Sequence, residues 1–175
     1  TQQLTTLCQQ TGVTLFMTLW SAFPTLLCRY SGQTDIVIGS PIANRTQSQT
    51  ESLVGFFVNT LVLRLNLSDN PSFDKLLQQA RRVALEAYTH QDIPFEQLVE
   101  EVKPIRNLSH SPLFQVMFVL QNTLTSESEV NLAGLNVSPL EREQVIAKFD
   151  LTLALEERDE GLVGELEYNT DLFES

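Results

Sequence analysis

The sequence predicts an α/β fold, a two-layer sandwich in which helices pack on a mixed β-sheet. Three observations support this prediction. Apolar residues recur at helical spacing around residues 15–29 and 71–90. Short apolar or alternating strands lie between and after these helices, and the last two form a hairpin. The 175 residues are 42 % hydrophobic, which suits a single domain with its own core.

Two helices are predicted at the amino-terminal end. The first covers residues 2–11 and ends at Gly12, because glycine commonly terminates helices. Thr14 can cap the second helix, which extends to about Arg29. Pro24 lies inside this helix and is expected to kink it.

Composition excludes several classes of partner. Cys8 and Cys28 lack the spacing of a zinc site, so we expect free thiols, no bound metal and a reducing, cytoplasmic compartment. Residues 1–87 carry six Lys/Arg against five Asp/Glu, and residues 88–175 carry five against seventeen. Without a basic cluster, nucleic acid and anionic membranes are poor partners. The apolar run 12–28 is interrupted by polar residues and is too short to span a bilayer.

The central part of the chain predicts two strands separated by a polar loop. Residues 36–40, "IVIGS", are apolar without alternation, which is typical of a central strand. Residues 44–52 are polar and predict a loop. The strand 56–66 alternates, and alternation puts Asn59 on an apolar face with Phe57. An unpartnered buried amide costs about 1–3 kcal/mol, so we expect Asn59 to be held by hydrogen bonds.

The carboxy-terminal half predicts helices followed by strands. Asn70 is expected to cap a helix that begins at Pro71 and ends near His90. Its spacing is the clearest in the chain. The remaining predicted elements are a helix over 95–102, a strand over 113–121, a polar loop over 122–134, a strand near 135–140 and a hairpin over 148–169.

The sequence contains no recognisable set of catalytic residues. His90 and His110 are the only histidines, and HExxH, GxSxG, Walker and Rossmann patterns are all missing from the sequence. His90 can be a general base. The favoured alternative is that His90 caps the helix end and pairs with the helix dipole or with Asp92.

Four ordered segments resemble the last four signature motifs of the condensation domains of non-ribosomal peptide synthetases. They are "YSGQTDIVIGSPIANRT" (30–46), "LVGFFVNTLVLR" (53–64), "AYTHQDIPFEQLVEEV" (87–102) and "RNLSHSPLFQVMFVLQN" (106–122). The segment 147–173 is similar to the closing part of the same domain. The resemblance therefore covers nearly the whole chain.

This resemblance implies a half-domain with a chloramphenicol acetyltransferase-like fold. Such condensation domains have two lobes, and the catalytic HHxxxDG motif belongs to the amino-terminal lobe. No HHxxxDG motif occurs in this sequence. We therefore expect residues 1–175 to be one carboxy-terminal lobe that ends before its last helix. The implied partners are the amino-terminal lobe, peptidyl carrier proteins and an adenylation domain. No cofactor is implied for the lobe, because substrates arrive on the phosphopantetheine of carrier proteins.

The resemblance also implies site residues. It places Asn59 and Ser40 on the wall of a substrate tunnel. Asn59 can instead tie down a neighbouring element, and the Ser40 hydroxyl can instead cap a turn before Pro41. Arg45 and Arg64 are expected to be scaffold groups paired with carboxylates.

The segment "HQDIPFEQL", which contains His90 and Asp92, is expected to set a helix junction. Two other functions stay open at this point. One is a non-catalytic module that docks carrier proteins or neighbouring domains. The other is a lobe of an epimerisation or cyclisation domain.

Overall fold

The computed structural model describes residues 2–105, 111–121, 146–158 and 161–174. Its elements, in chain order, are α1 (Gln2–Thr11), α2 (Leu15–Ser31), β1 (Asp35–Ile42), α3 (Ser48–Glu51), β2 (Asn59–Asn66), α4 (Phe73–Thr89), α5 (Phe95–Val102), β3 (Val116–Gln121), β4 (Leu151–Arg158) and β5 (Gly161–Tyr168). His110, the predicted loop 122–134 and the predicted strand near 135–140 lie outside the described residues.

The five strands form one mixed sheet in the order β2-β1-β3-β4-β5. β1 is antiparallel to β2 and parallel to β3, so its predicted interior position is confirmed. β3 is also parallel to β4, and β4 turns back into β5 as the predicted hairpin. Leu153 lies opposite Leu166 in that hairpin, as the alternation of apolar residues predicts. The predicted α/β class with a mixed sheet is confirmed.

The core lies between one face of the sheet and the helices α2 and α4. Strand alternation places Ile36 and Ile38 of β1 on the same face as their partners Leu65 and Leu63 of β2. All four side chains belong to a single buried cluster. That cluster also contains Trp20 and Phe23 of α2, and Leu76 and Ala80 of α4. The burial of apolar surface in this layer is the main source of stability.

The helix boundaries follow the local capping chemistry, with one correction. Thr14 caps α2 as predicted, because its Oγ1 accepts a hydrogen bond from the Met17 N–H at 3.2 Å. α2 continues through Pro24 and ends at Gly32, which has a φ of +71°. The predicted cap at Asn70 is wrong. The cap of α4 is Ser72, and Asn70 has a φ of +46°, a left-handed conformation that asparagine tolerates better than most residues.

Two strands begin later than predicted, whereas β1 is longer than the predicted 36–40. β2 begins at Asn59 rather than residue 56, because its partner strand ends at Ile42 and residues before Asn59 have nothing to pair with. Phe56 is consequently 91 % exposed. The predicted loop 44–52 contains the short helix α3. β3 begins at Val116 rather than residue 113, since a turn precedes it.

The two cysteines are free thiols in different surroundings. Cys8 is buried, with its Sγ 3.2 Å from the Thr18 Oγ1, whereas Cys28 is half-buried; both are free. Among the described helices, no single one is long and apolar enough to cross a membrane. α1 and α2 meet that criterion only as a pair, and the pair is bent by 99°.

Candidate functional site

The amide of Asn59 is the centre of the candidate site. Its Nδ2 donates to the carbonyl oxygens of Gln91 and Ile93, each at 2.8 Å. Its Oδ1 accepts from the backbone N–H of Phe95 at 3.1 Å and of Thr60 at 2.9 Å. One side chain at the start of β2 therefore holds the backbone between α4 and α5 at three points.

This network uses the full hydrogen-bonding capacity of the amide. A primary amide has two N–H donors and an oxygen with two lone pairs, and all four are engaged here. Asn59 is buried, so each of these bonds lies where water competes poorly. The sequence left two roles open for Asn59. The geometry favours the structural role, in which the side chain holds the neighbouring backbone in place. The side chain has no N–H left to donate to a substrate oxygen.

Ser40 lies on the same face of the sheet as Asn59. In the β1–β2 register, Ser40 is opposite Leu61 and Ile42 is opposite Asn59, so the two polar residues are diagonal neighbours. Ser40 is only 2 % exposed. The alternative that the Ser40 hydroxyl caps a turn before Pro41 is wrong. β1 continues through Pro41 to Ile42.

Arg45 closes the loop between β1 and β2. Its guanidinium donates to the Thr50 carbonyl and lies 4.3 Å from the centre of the Phe57 ring. The expected carboxylate partner is therefore replaced by a carbonyl and an aromatic face, both of which suit a planar guanidinium. Val54 and Phe56, at the far side of this loop, are almost fully exposed.

Arg64 pairs with a carboxylate, but far from Asn59. Its Nε and Nη2 donate to the two oxygens of Asp35 at 2.8 and 2.6 Å. The pair lies at the opposite end of β1 and β2, where Asp35 faces Asn66 in the register. The hydrogen bond from Arg64 lowers the pKa of the Asp35 carboxyl, and the same bond raises the pKa of the guanidinium. The pair braces a strand end and takes no part in the site.

We expect Asp35→Asn to change stability only slightly, because both side chains are well exposed and water screens the pair. A lowered folded-state pKa means that the pair contributes above the unfolded pKa of Asp35 and loses this contribution as the pH falls through the folded pKa. Urea midpoints of the wild type and variant should therefore differ a little at neutral pH and low salt, and converge in acid. A large difference that persists in high salt would contradict a screened pair.

His90 and Asp92 belong to the segment that Asn59 holds. The His90 N–H bonds to the carbonyls of Ala87 and Tyr88, so the residue terminates α4, and its own carbonyl accepts from the Ile93 N–H at 3.1 Å. Both side chains are exposed. The structure thus brings Ser40, Asn59 and the backbone around His90 and Asp92 together, whereas Arg64 is remote.

An aromatic cluster beside the site was not predicted. The centre of the Phe114 ring lies 5.6 Å from the ring centre of Phe95, at the start of α5. It lies 5.5 Å from the ring centre of Phe149, just before β4. Phe114 also covers Gly39 in β1. A glycine inside an apolar strand was the available signal, because it often marks a close approach by another group.

Fold and site together define an α/β sandwich in which the buried amide of Asn59 holds the junction between α4 and α5. Among the described residues no catalytic set accompanies that amide. A model of the Condensation domain family matches residues 1–175. The chain belongs to the condensation domain family of non-ribosomal peptide synthetases.

Known relatives are much longer than this chain. It is 52 % identical over 174 residues to malpinin synthetase of Mortierella alpina, covering 99 % of this chain and 2 % of that protein. It is 44 % identical over 171 residues to surfactin synthase subunit 1 of Bacillus subtilis strain 168, covering 98 % of this chain and 5 % of that protein.

Solved structures agree with this membership. A four-domain non-ribosomal peptide synthetase bound to AMP and glycine matches with a TM-score of 0.86 and 28 % identity, over 98 % of this chain and 14 % of that one. The X-domain in complex with OxyB, from teicoplanin biosynthesis, matches with a TM-score of 0.85 and 29 % identity, over 98 % of this chain and 38 % of that one.

Proposed function

We propose that this chain is the carboxy-terminal lobe of a condensation domain that forms amide bonds in a peptide synthetase. The main support is the share of each chain that superposes on the other. Almost the whole chain superposes on the X-domain structure but accounts for only 38 % of it. A lobe of a two-lobed domain has this proportion. The four sequence motifs, which resemble the later motifs of the family, support the carboxy-terminal assignment.

In the proposed reaction, two substrates arrive as thioesters on the phosphopantetheine arms of carrier proteins. The acceptor amine attacks the thioester carbonyl of the donor. A C–N bond forms and the C–S bond breaks, so the donor arm leaves as a thiol and the amine gives up one proton. The lobe contributes no cofactor of its own. The amino-terminal lobe with its HHxxxDG motif, the carrier proteins and an adenylation domain are the proposed partners, in the cytoplasm.

Within this reaction, Ser40 and Asn59 take different roles. We assign Ser40 to the substrate tunnel, on the basis of its motif and its place beside Asn59. Asn59 serves indirectly, since its amide is fully occupied by the backbone of Gln91, Ile93, Phe95 and Thr60. It keeps α5 at a fixed distance from β2.

The test compares this chain with the proposed parent, a longer protein in which the chain is joined to an amino-terminal lobe that carries HHxxxDG. Both are incubated with a donor aminoacyl carrier protein and an acceptor aminoacyl carrier protein, and dipeptide is measured by mass spectrometry. We expect dipeptide from the longer protein and only the uncatalysed rate from residues 1–175, because the HHxxxDG motif is missing. Turnover by residues 1–175 alone would refute the half-domain assignment.

One observation favours a second candidate, a docking module without catalysis. The X-domain matches this chain closely and was solved in complex with OxyB, a separate protein. The two candidates separate in the same assay. If the longer protein binds a carrier protein, as measured by calorimetry, but forms no dipeptide from any loaded pair, the docking module is correct.

A further inference from the structure

Phe114 occupies the space of a side chain that Gly39 lacks. A Cβ placed on Gly39 would lie 2.3 Å from both Cε2 and Cζ of the Phe114 ring, and 2.8 Å from its Cδ2. Carbon atoms cannot approach so closely, so the ring and the bare backbone are complementary. By alternation, this contact is on the face of β1 opposite to Ile38 and Ser40.

The ring is held in this place from several directions. Phe95 and Phe149 contact it, and Phe114 is only 2 % exposed. The preceding backbone is strained: Leu113 has a φ of +70°, and the Phe114 N–H bonds to the Pro112 carbonyl at 2.9 Å. This hydrogen bond closes a tight turn of the γ type, a conformation that is rare for leucine. Such strain persists only where the surroundings enforce it, and it is concentrated near functional sites.

The contact also lies where two strands separate. β1 and β3 pair at only two positions, and Gly39 with Met117 is the second of them. β3 and β4, by comparison, pair along the whole length of β3. Ser40 is the first residue of β1 beyond this last pair. Beyond this pair β1 continues to Ile42 beside β2, and β3 continues to Gln121 beside β4. The two strands therefore separate from the position of Ser40 onward.

We propose that Phe114 is a positioning residue for the condensation reaction. Its ring, seated on Gly39, fixes the direction in which β1 separates from β3 and thereby places Ser40. The contact with Phe95 links this position to α5, whose first turn is also bonded to Asn59. This inference rests on the proposed function, because it needs Ser40 to contact a substrate.

The test is a double-mutant cycle in the proposed longer parent. Phe114→Leu removes the ring atoms that fill the Gly39 position, and Gly39→Ala adds the atom that collides with them. The two single variants should each lower the denaturation midpoint. The double variant should recover part of this loss, because the new methyl group enters the space left by the ring. A double variant as unstable as the two losses combined would overturn the contact.

Kinetics separate positioning from simple packing. Phe114→Leu should lower kcat/KM for the acceptor carrier protein by roughly 10- to 100-fold per folded molecule, and the double variant should restore part of it. Phe23→Leu is the matched control, since Phe23 is also buried but lies on α2, away from Gly39. It should lose stability with little change in kcat/KM.

Two results would overturn the positioning role. One is an equal kinetic loss in Phe114→Leu and Phe23→Leu. The other is a rescue of stability in the double variant without any rescue of kcat/KM. Failure of the proposed function has a different signature, because the unmutated protein would then form no dipeptide. In that case the double-mutant cycle would report only on the packing of Phe114 against Gly39.

Discussion

Replacing Asn59 with alanine is expected to lower the free energy of unfolding by about 2–4 kcal/mol, a large share of the stability of a domain of this size. Truncation leaves the carbonyls of Gln91 and Ile93 and the N–H groups of Phe95 and Thr60 without their partner. Urea denaturation of the chain measures the loss. Asn66→Ala is the matched control at the other end of β2, where the side chain is exposed and water can replace it.

A second substitution, Asn59→Asp, separates the two halves of this network. The introduced carboxylate can still accept from the N–H groups of Phe95 and Thr60, but it faces the carbonyls of Gln91 and Ile93 without a donor. Its folded-state pKa should therefore be raised. A raised pKa means that the variant is most stable below the unfolded pKa and loses stability as the pH rises through the folded pKa. Midpoints measured from acid to neutral pH should show this slope, relative to the wild type.

The opposite outcome would restore the tunnel hypothesis. If Asn59→Ala left the midpoint unchanged but reduced turnover per folded molecule in the longer protein, the amide would have to contact the substrate. The four backbone bonds would then be replaceable by water. The geometry predicts the reverse, namely a large loss of stability and a turnover that falls chiefly with the folded fraction.

Trp20→Ala is expected to be at least as damaging, costing about 3–5 kcal/mol. Trp20 is fully buried in the layer between α2 and the sheet, and its removal leaves a cavity. Trp20→Phe should cost much less. Among the described residues the indole Nε1 has no hydrogen-bond partner, so phenylalanine also removes an unsatisfied buried N–H. Tyr30→Ala, on the exposed end of the same helix, is the control and should change little.

Thermal or urea unfolding of these variants provides the measurement. Equal losses for Trp20→Ala and Trp20→Phe would contradict the prediction. They would mean that the indole N–H makes a hydrogen bond, and that losing this bond costs as much free energy as the cavity left by alanine.

Local chemistry made the four longer helices predictable, but not the four-residue α3. Thr14 acts within one turn of the residue it caps, so its effect can be deduced from neighbouring letters in the sequence. Asn70 shows the limit of this reasoning. It and Ser72 are both good capping residues, and only the path of the backbone decides between them.

The ends of the strands depended on distant partners. Residues 56–58 alternate as a strand should, but β1 ends before reaching them. The four partners of Asn59 were equally out of reach, because three of them belong to residues 91–95, far along the chain. The sequence could show that Asn59 needed partners, but it could not show which ones. Phe114 and Gly39 form a similar case, in which a spacing of many residues hides a direct contact.

The strand order also has a consequence for the rate at which the chain folds. The hairpin β4–β5 joins strands that are adjacent in the sequence and can form early, and β1 meets β2 after a single loop. The junction between β1 and β3 is different, because α4 and α5 must be passed before the two strands meet. Closing so long a loop has a high entropic cost and is therefore slow. Only two paired positions between β1 and β3 offset this cost. Docking of β3 on β1, with the Phe114 ring packing on Gly39, should therefore be the late step of folding. Stopped-flow refolding of Phe114→Leu should then show a slower final phase than the wild type.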